Sequence, residues 1–346
     1  QRQMCIRDRA AQARAKPREF GNPEVDPQKF GDLLLADDII LQDPESWGSR
    51  GESAGLMIKD VGTGYRDLMP MGSKSAEDHD AAFLEFVGKR HGHNLGTVHS
   101  DGAQELKKSV RNLQGEYKWV HSVASPHRPT ERGKIEREID VVLGAARCNL
   151  EQAGLPLSWW PRTSRYTCCA LNITDDVWSR ARNGKGEHLF VLAPGTGGQL
   201  RGAMSAYERR HGMAYVGLEI PLGAEVTYRP PTPVLKQKHK FDTTMSKGIF
   251  LGWNVAPGGV WHGDYLVADT TDLLENKERV RVYTVKEVKE PFEIVFPLRG
   301  AGLKDLRPNE EEFDETELPD LAPGASTGDA LARRPRKVST RPHYIN

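Results

Sequence analysis

Between Leu33 and Leu41 every residue is apolar except Asp37 and Asp38. A run of this length suits a strand buried on both faces, which calls for a sheet with covering layers above and below. Carboxylates inside such a strand are costly. Side chains alternate along a strand, so Asp37 and Asp38 point to opposite faces.

The residues that follow supply the rest of such a sheet. Ser53 to Lys59 and Tyr65 to Met71 flank Asp60-Val61-Gly62-Thr63-Gly64, a turn with two glycines, and read as a hairpin. Ala76 to Lys89 groups Ala82, Phe83, Phe86 and Val87 at helical spacing. A strand from Leu95 to Ser100 delivers Asp101 at its C-terminal end. A helix around Gln104 to Leu113 and a strand around Tyr117 to Val123 come next. The proline-punctuated loop Ser125 to Pro129 leads into a helix from Gly133 to Ala153, where Ile135, Ile139, Val142, Leu143, Ala146 and Leu150 form one stripe. Pro156 to Ile173 reads as the last core helix. This order predicts an α/β domain over residues 26–175, with a mixed five-stranded sheet and helices on both faces.

Residues 176–205 have several glycines and few apolar anchors, and read as a linker. From 206 to 272 short apolar runs alternate with Gly and Pro, at Val216 to Pro221, Gly248 to Trp253 and Asp264 to Ala268. That pattern predicts a small β-barrel. Residues 273–346 form an extension, with further candidate strands between Val280 and Val288, then a charged tail holding acidic Glu310 to Asp320 and basic Arg333 to Lys337. The tail's basic cluster reads as a solvated basic tail in preference to a nuclear localisation signal. Residues 1–25 have the composition of a disordered basic arm. Within it, Gln1 to Arg9 resembles a translated sequencing-adapter remnant and is set aside from the fold.

Lys plus Arg and Asp plus Glu number 48 each, so the chain has no overall basic field and any nucleic-acid contact must come from local patches. Cys5, Cys148, Cys168 and Cys169 show no regular spacing, which argues against a disulfide framework or a zinc motif. Cys168 and Cys169, with Trp159 and Trp160, read as core packing. No apolar run approaches the roughly 20 residues of a membrane span. The chain therefore reads as soluble and intracellular, with no membrane partner.

Three carboxylates fall where phosphoryl-transfer chemistry would use them: Asp37 in the first strand, Asp101 ending a later strand, and Glu136 in the first turn of the long helix. If the fold gathers them, their mutual repulsion calls for divalent cations bound through carboxylate oxygens. Two metals roughly 3.5 to 4 Å apart can serve the attacking and leaving oxygens of an in-line displacement at phosphorus. The opposing reading is that these are solvated surface carboxylates. The Asp101-to-Glu136 spacing taken by itself favours it.

The flanking residues reverse those odds. His99-Ser100-Asp101-Gly102-Ala103-Gln104-Glu105-Leu106 resembles the Ser-Asp-Asn-Gly-x-Glu pattern of retroelement integrases. Ser125 to Arg137 resembles the Pro-rich loop leading to Asn-Gly-x-x-Glu-Arg, with Pro126, Pro129, Gly133, Glu136 and Arg137 in matching places, and Gly154-Leu155-Pro156 with Trp160 looks like the boundary that follows. Lys247-Gly248-Ile249-Phe250-Leu251-Gly252-Trp253 is similar to the Gly-Ile-Phe-Leu-Gly-Tyr signature of the SH3-like domain that follows copia-type integrase cores. Together these cover roughly residues 30–272.

The resemblance implies an RNase H-like catalytic core followed by a small SH3-like β-barrel. It implies an enzyme that trims the 3′ ends of element cDNA and joins them to target double-stranded DNA in the nucleus. Asp37, Asp101 and Glu136 would bind two Mg2+ or Mn2+ ions, the protein would act as a homo-oligomer because two ends are joined, and Arg128, Arg132, Lys134 and Arg137 would grip DNA. Asp37 is preferred to Asp38 because its Ala-Asp context better matches the family. For the basic residues the alternative is an ordinary charged loop and helix start, with Lys134 and Glu138 as an i,i+4 pair.

Departures from the family also count. Thirty-four residues separate Asp101 from Glu136, one fewer than usual, Arg132 stands where Asn is expected, and so does Gly102. These support an alternative, a catalytically inactive, decayed or repurposed integrase-fold DNA-binding protein. His91, His93 and His99 lack neighbouring cysteines and read as polar surface and loop residues rather than metal ligands. A His-His-Cys-Cys module is not found upstream, which implies truncation at that end of a longer polyprotein.

Overall fold

The computed structural model describes residues 27–88, 95–123, 129–178, 191–192, 200–201, 203–237, 239–275 and 280–301. Strands β1 (Leu33–Ile40), β2 (Ala54–Asp60) and β3 (Arg66–Met71) form an antiparallel meander. Its tight turn is tied by Asp60. One carboxylate oxygen accepts from Gly31 N at 2.9 Å, and the other from Thr63 N and Oγ1 at 2.6 and 2.5 Å. Helix α1 (Ala76–Val87) follows, capped by Ser75, whose hydroxyl accepts from Asp78 N. Strand β4 (Thr97–Ser100), helix α2 (Gln104–Tyr117) and strand β5 (Val120–Val123) complete the sheet.

The strand order is β3-β2-β1-β4-β5, with β1, β4 and β5 mutually parallel. This is the RNase H-like order. The expected strand at Tyr117 begins three residues later, because α2 continues to Tyr117 and ends on Lys118 in the left-handed region (φ 52°). Burial explains the extra turn. Tyr117 and Trp119 pack with ring centroids 5.4 Å apart, and Phe83 of α1 lies 5.3 Å from Trp119.

The sheet has two apolar faces. Leu34, Ala36, Leu56, Ile58 and Val98 meet α1 and α2 on one side. Leu35, Met57 and Leu68 meet helices α3 (Pro129–Ala153) and α4 (Trp160–Thr174) on the other, through Ile135, Val142, Cys168 and Leu171. Helix α3 starts four residues before the expected Gly133. Proline suits the first turn of a helix, where its missing N–H costs nothing. A 3-10 turn at Leu157–Trp159 separates the two helices, so the expected unbroken helix from Pro156 starts at Trp160.

The expected linker contains short strands: β6 (Asp176–Trp178), β7 (Val191–Leu192), β8 (Leu200–Arg201) and β9 (Ala203–Ser205). β6 pairs with β9, and β7 with β8. Helix α5 (Ala206–His211) follows at once. Then come β10 (Glu225–Tyr228), α6 (Thr232–Gln237), β11 (Ser246–Ala256), β12 (Val260–Asp269), α7 (Thr270–Leu274), β13 (Val282–Val285) and β14 (Val288–Lys289). Their antiparallel order is β13-β12-β11-β10-β14. The sheet is open, with edges at β13 and β14, in place of the closed barrel expected. Register shifts along β11 at Gly252 and beyond Trp253 bend the long hairpin without bringing the edge strands together.

The two sheets share one apolar core, running from Leu34 and Phe86 to Ile249, Phe250 and Tyr265. Tyr166 of α4 stacks on Trp253 at 5.2 Å and 9°, and donates to Ile220 O at 3.1 Å. No helix among the described residues is long and apolar enough to cross a membrane.

Candidate functional site

β1 and β4 are parallel neighbours, and Ala36 stands opposite Ser100 in their register. The next residues are Asp37, still within β1, and Asp101, the first residue past β4, so the register brings the two positions to neighbouring places on the sheet. Ala36, Leu34 and Val98 belong to the α1/α2 face. By strand alternation Asp37 and Asp101 lie on the other face, the one α3 covers. The chain leaves β1 toward β2 and β3 on one side and returns through β4 and β5 on the other, so the pair occupies the switch point of the sheet. In open α/β sheets the crevice at that point is the usual ligand position.

Local bonds fix both carboxylates. Asp37 Oδ1 accepts from Asp38 N at 2.9 Å. Asp101 Oδ1 accepts from Ala103 N at 3.0 Å, opening α2. Ser100, just before it, bonds His121 Nε2 at 2.8 Å through its hydroxyl. His99, on the same face as the aspartates, meets Ser122 Oγ at 3.1 Å, which makes it a half-buried partner within the sheet.

Asp38 has a different occupation. It is almost fully buried against α1, 2.8 Å from His79 Nε2 and 3.3 Å from Lys74 Nζ. The other ring nitrogen of His79 lies 2.6 Å from Ser75 O. Both nitrogens face acceptors, an arrangement that favours the doubly protonated ring. Burial opposes that charge, but the Asp38 hydrogen bond and carboxylate outweigh it and raise the pKa of His79. Its partnership leaves Asp37 as the carboxylate on the α3 face. The sequence holds a signal for this trio that was missed: His79 lies on the apolar stripe of α1, three and four residues before Ala82 and Phe83, and a polar residue there needs a partner.

Glu136 is exposed, on the first described turns of α3. Ile135 and Val142 face the sheet, and Glu138 is buried against β2 and β3, where it pairs with Lys59 and Arg66. Residues two apart on a helix point about 200° apart. Glu136 thus takes the opposite flank, on the side of β1 and β4. The same geometry puts Lys134 on the Glu138 flank, away from Glu136. Arg137 is exposed. Arg128 and the side chain of Arg132 lie outside the described residues.

The chemistry of Asp37 and Asp101, two hard oxygen donors at adjacent positions, fits a divalent cation. Among the described residues, however, no group of three or more His, Cys, Asp or Glu side chains could hold a metal. Glu136 does not close the site in this arrangement. Cys168, fully buried, has its thiol pKa pushed up by burial, as befits a core residue. No protein-family model matches the chain, and no curated protein matches it.

Proposed function

We propose that this protein is a retroelement integrase of the copia type, which processes the 3′ ends of element cDNA and joins them to host DNA. The observation that carries the reading is the parallel register of β1 and β4 in an RNase H-like strand order, which sets Ala36 opposite Ser100, each one residue before the aspartates Asp37 and Asp101. Asp37 and Asp101 would hold Mg2+ or Mn2+, with Glu136 joining when DNA is bound. A bound metal supplies Lewis-acid stabilisation of charge at the phosphorus centre. The chain's own part is to fix the two aspartates through the Asp38 and Ala103 amides, and to present Glu136 from a helix anchored by Glu138. Arg137 and the neighbouring basic residues would contact phosphates, and the open second sheet would take the place of the SH3-like module. A homo-oligomer acting in the nucleus follows from the same reading.

A second reading, an inactive integrase-fold DNA-binding protein, draws on the unclosed carboxylate set and on Gly102 and Arg132. A strand-transfer assay with the full chain, labelled duplex ends and magnesium or manganese separates the two. Joined product that needs metal and disappears in Asp101→Asn is expected. DNA binding without product, across several end sequences, overturns the enzymatic reading in favour of the second.

A further inference from the structure

Phe241 leaves 94% of its surface in water. It stands on a tied turn. Asp242 Oδ2 accepts from His239 N at 3.3 Å, His239 Nδ1 accepts from Phe241 N at 3.3 Å, and Thr243 Oγ1 both donates to Met245 O at 2.6 Å and accepts from Met245 N at 3.2 Å. A phenyl ring presented this way forgoes the burial that ordinarily stabilises it.

Along the sequence the charge near Phe241 is one-sided: Leu235 to Met245 holds Lys236, Lys238 and Lys240 against Asp242, a formal +2 in a chain whose net charge is zero. Lys236, His239 and Lys240 are exposed and, with Asp242, Thr243 and Thr244, border a depression of ≈ 240 Å³. Two other cations of this sheet region are already engaged: Lys247 of β11 with Glu225 at 2.7 Å, and Arg229, just past β10, with Glu287 at 3.0 Å.

We propose that this loop, between α6 and β11, binds single-stranded nucleic acid, with Lys236 and Lys240 on phosphates and Phe241 stacked on an unpaired base. Every base offers a π-face, and lysines supply point charges that track a backbone without reading sequence. Within a duplex the base faces are already stacked on one another, so the ring finds a partner only at an end. An acidic peptide would satisfy the lysines and leave the ring without a flat partner. The proposal uses none of Asp37, Asp101 or Glu136.

Fluorescence anisotropy on the full chain tests it, with a labelled oligothymidylate of about 16 nucleotides and a blunt duplex of the same length. The single strand is expected to bind more tightly. Phe241→Ala should weaken single-strand binding on the order of tenfold and leave duplex binding unchanged, while Phe241→Tyr retains it. The pair Lys236→Ala with Lys240→Ala should lower the slope of log affinity against log salt by about 1.4. Unchanged single-strand affinity in Phe241→Ala, or an equal loss on duplex, overturns the proposal. So does Phe241-dependent binding to phosphatidylserine vesicles without single-strand binding, which assigns the loop to a lipid surface. Because Asp101→Asn should bind the single strand normally, failure of the strand-transfer reading is distinguishable from failure of this one.

Discussion

Arg66 Nη1 lies 2.7 Å from Glu138 Oε1, and each side chain is more than nine-tenths buried. Lys59 pairs with the other oxygen of the same carboxylate, so one helix residue ties α3 to both β2 and β3. Burial works against the Glu138 carboxylate, but Arg66 and Lys59 outweigh it and hold its pKa below the ordinary value. Removing it takes the carboxylate from Lys59 and leaves Arg66 with Asp175, 3.2 Å from its Nη2. Glu138→Ala is expected to cost about 3 to 5 kcal/mol of stability. Glu136→Ala, two residues away and exposed, should change stability by no more than about 0.5 kcal/mol while abolishing strand transfer. Urea denaturation of both variants checks this, and equal losses would sink the division of labour between the two glutamates.

That division shows what the sequence does and does not disclose. The strand carrying Asp37 was legible because an apolar run with two carboxylates has few alternatives, and the hairpin and Asp101 followed from turn residues and strand length. The pairing of Glu138 was not legible: local spacing offers Lys134 as its partner, and only the packing of α3 on the sheet brings Lys59 and Arg66 to it. The open second sheet was missed for the same reason, since closure depends on whether β13 meets β14, a contact no local pattern encodes. Whether Glu136 reaches Asp37 and Asp101 depends likewise on the docking of α3.

Asp67 gives a pH dependence whose sign can be worked out. Burial pushes its carboxyl up to about 6, against the attraction of Arg165, whose Nε lies 3.3 Å away. A raised folded pKa gives stability that is fully present below the unfolded value near 3.8 and lost as pH rises through about 6. The loss is about 3 kcal/mol. Glu138, with its depressed pKa, acts oppositely, losing its contribution as pH falls through that value. Stability should therefore decline between about pH 4 and 6, and Asp67→Asn should flatten the decline. Denaturation midpoints across this range provide the check; an unchanged slope in the variant places its origin elsewhere.

Asp37 and Asp38 are neighbours with separate duties, and paired substitutions should divide them. Asp38→Asn removes the charge facing buried His79 and Lys74, for an expected loss of about 2 kcal/mol. Asp37→Asn keeps an oxygen able to accept from the Asp38 amide, so the fold should hold while strand transfer disappears. Melting curves and the joining assay, run on both variants, decide it. An inactive but fully stable Asp38→Asn beside an active Asp37→Asn would reverse the assignment of the strand carboxylate.

Tyr166 joins the sheets tightly enough to make them one folding unit. Its ring stacks on Trp253 and meets Phe250 edge-on at 6.4 Å, its hydroxyl holds Ile220 O, and Gly258 N donates to Glu85 O at 2.7 Å in the same interface. Gly223 explains how closely the parts approach. Its φ is +80°, and a Cβ there would lie 2.4 Å from the Ala153 Cβ. Tyr166→Ala should therefore cost about 3 to 5 kcal/mol and lower protection in both sheets together. Hydrogen exchange on β1 and β11 amides reads this directly. If β11 opens in the variant while β1 keeps its full protection, the sheets are separable, and the shared core is a contact between two domains rather than the centre of one.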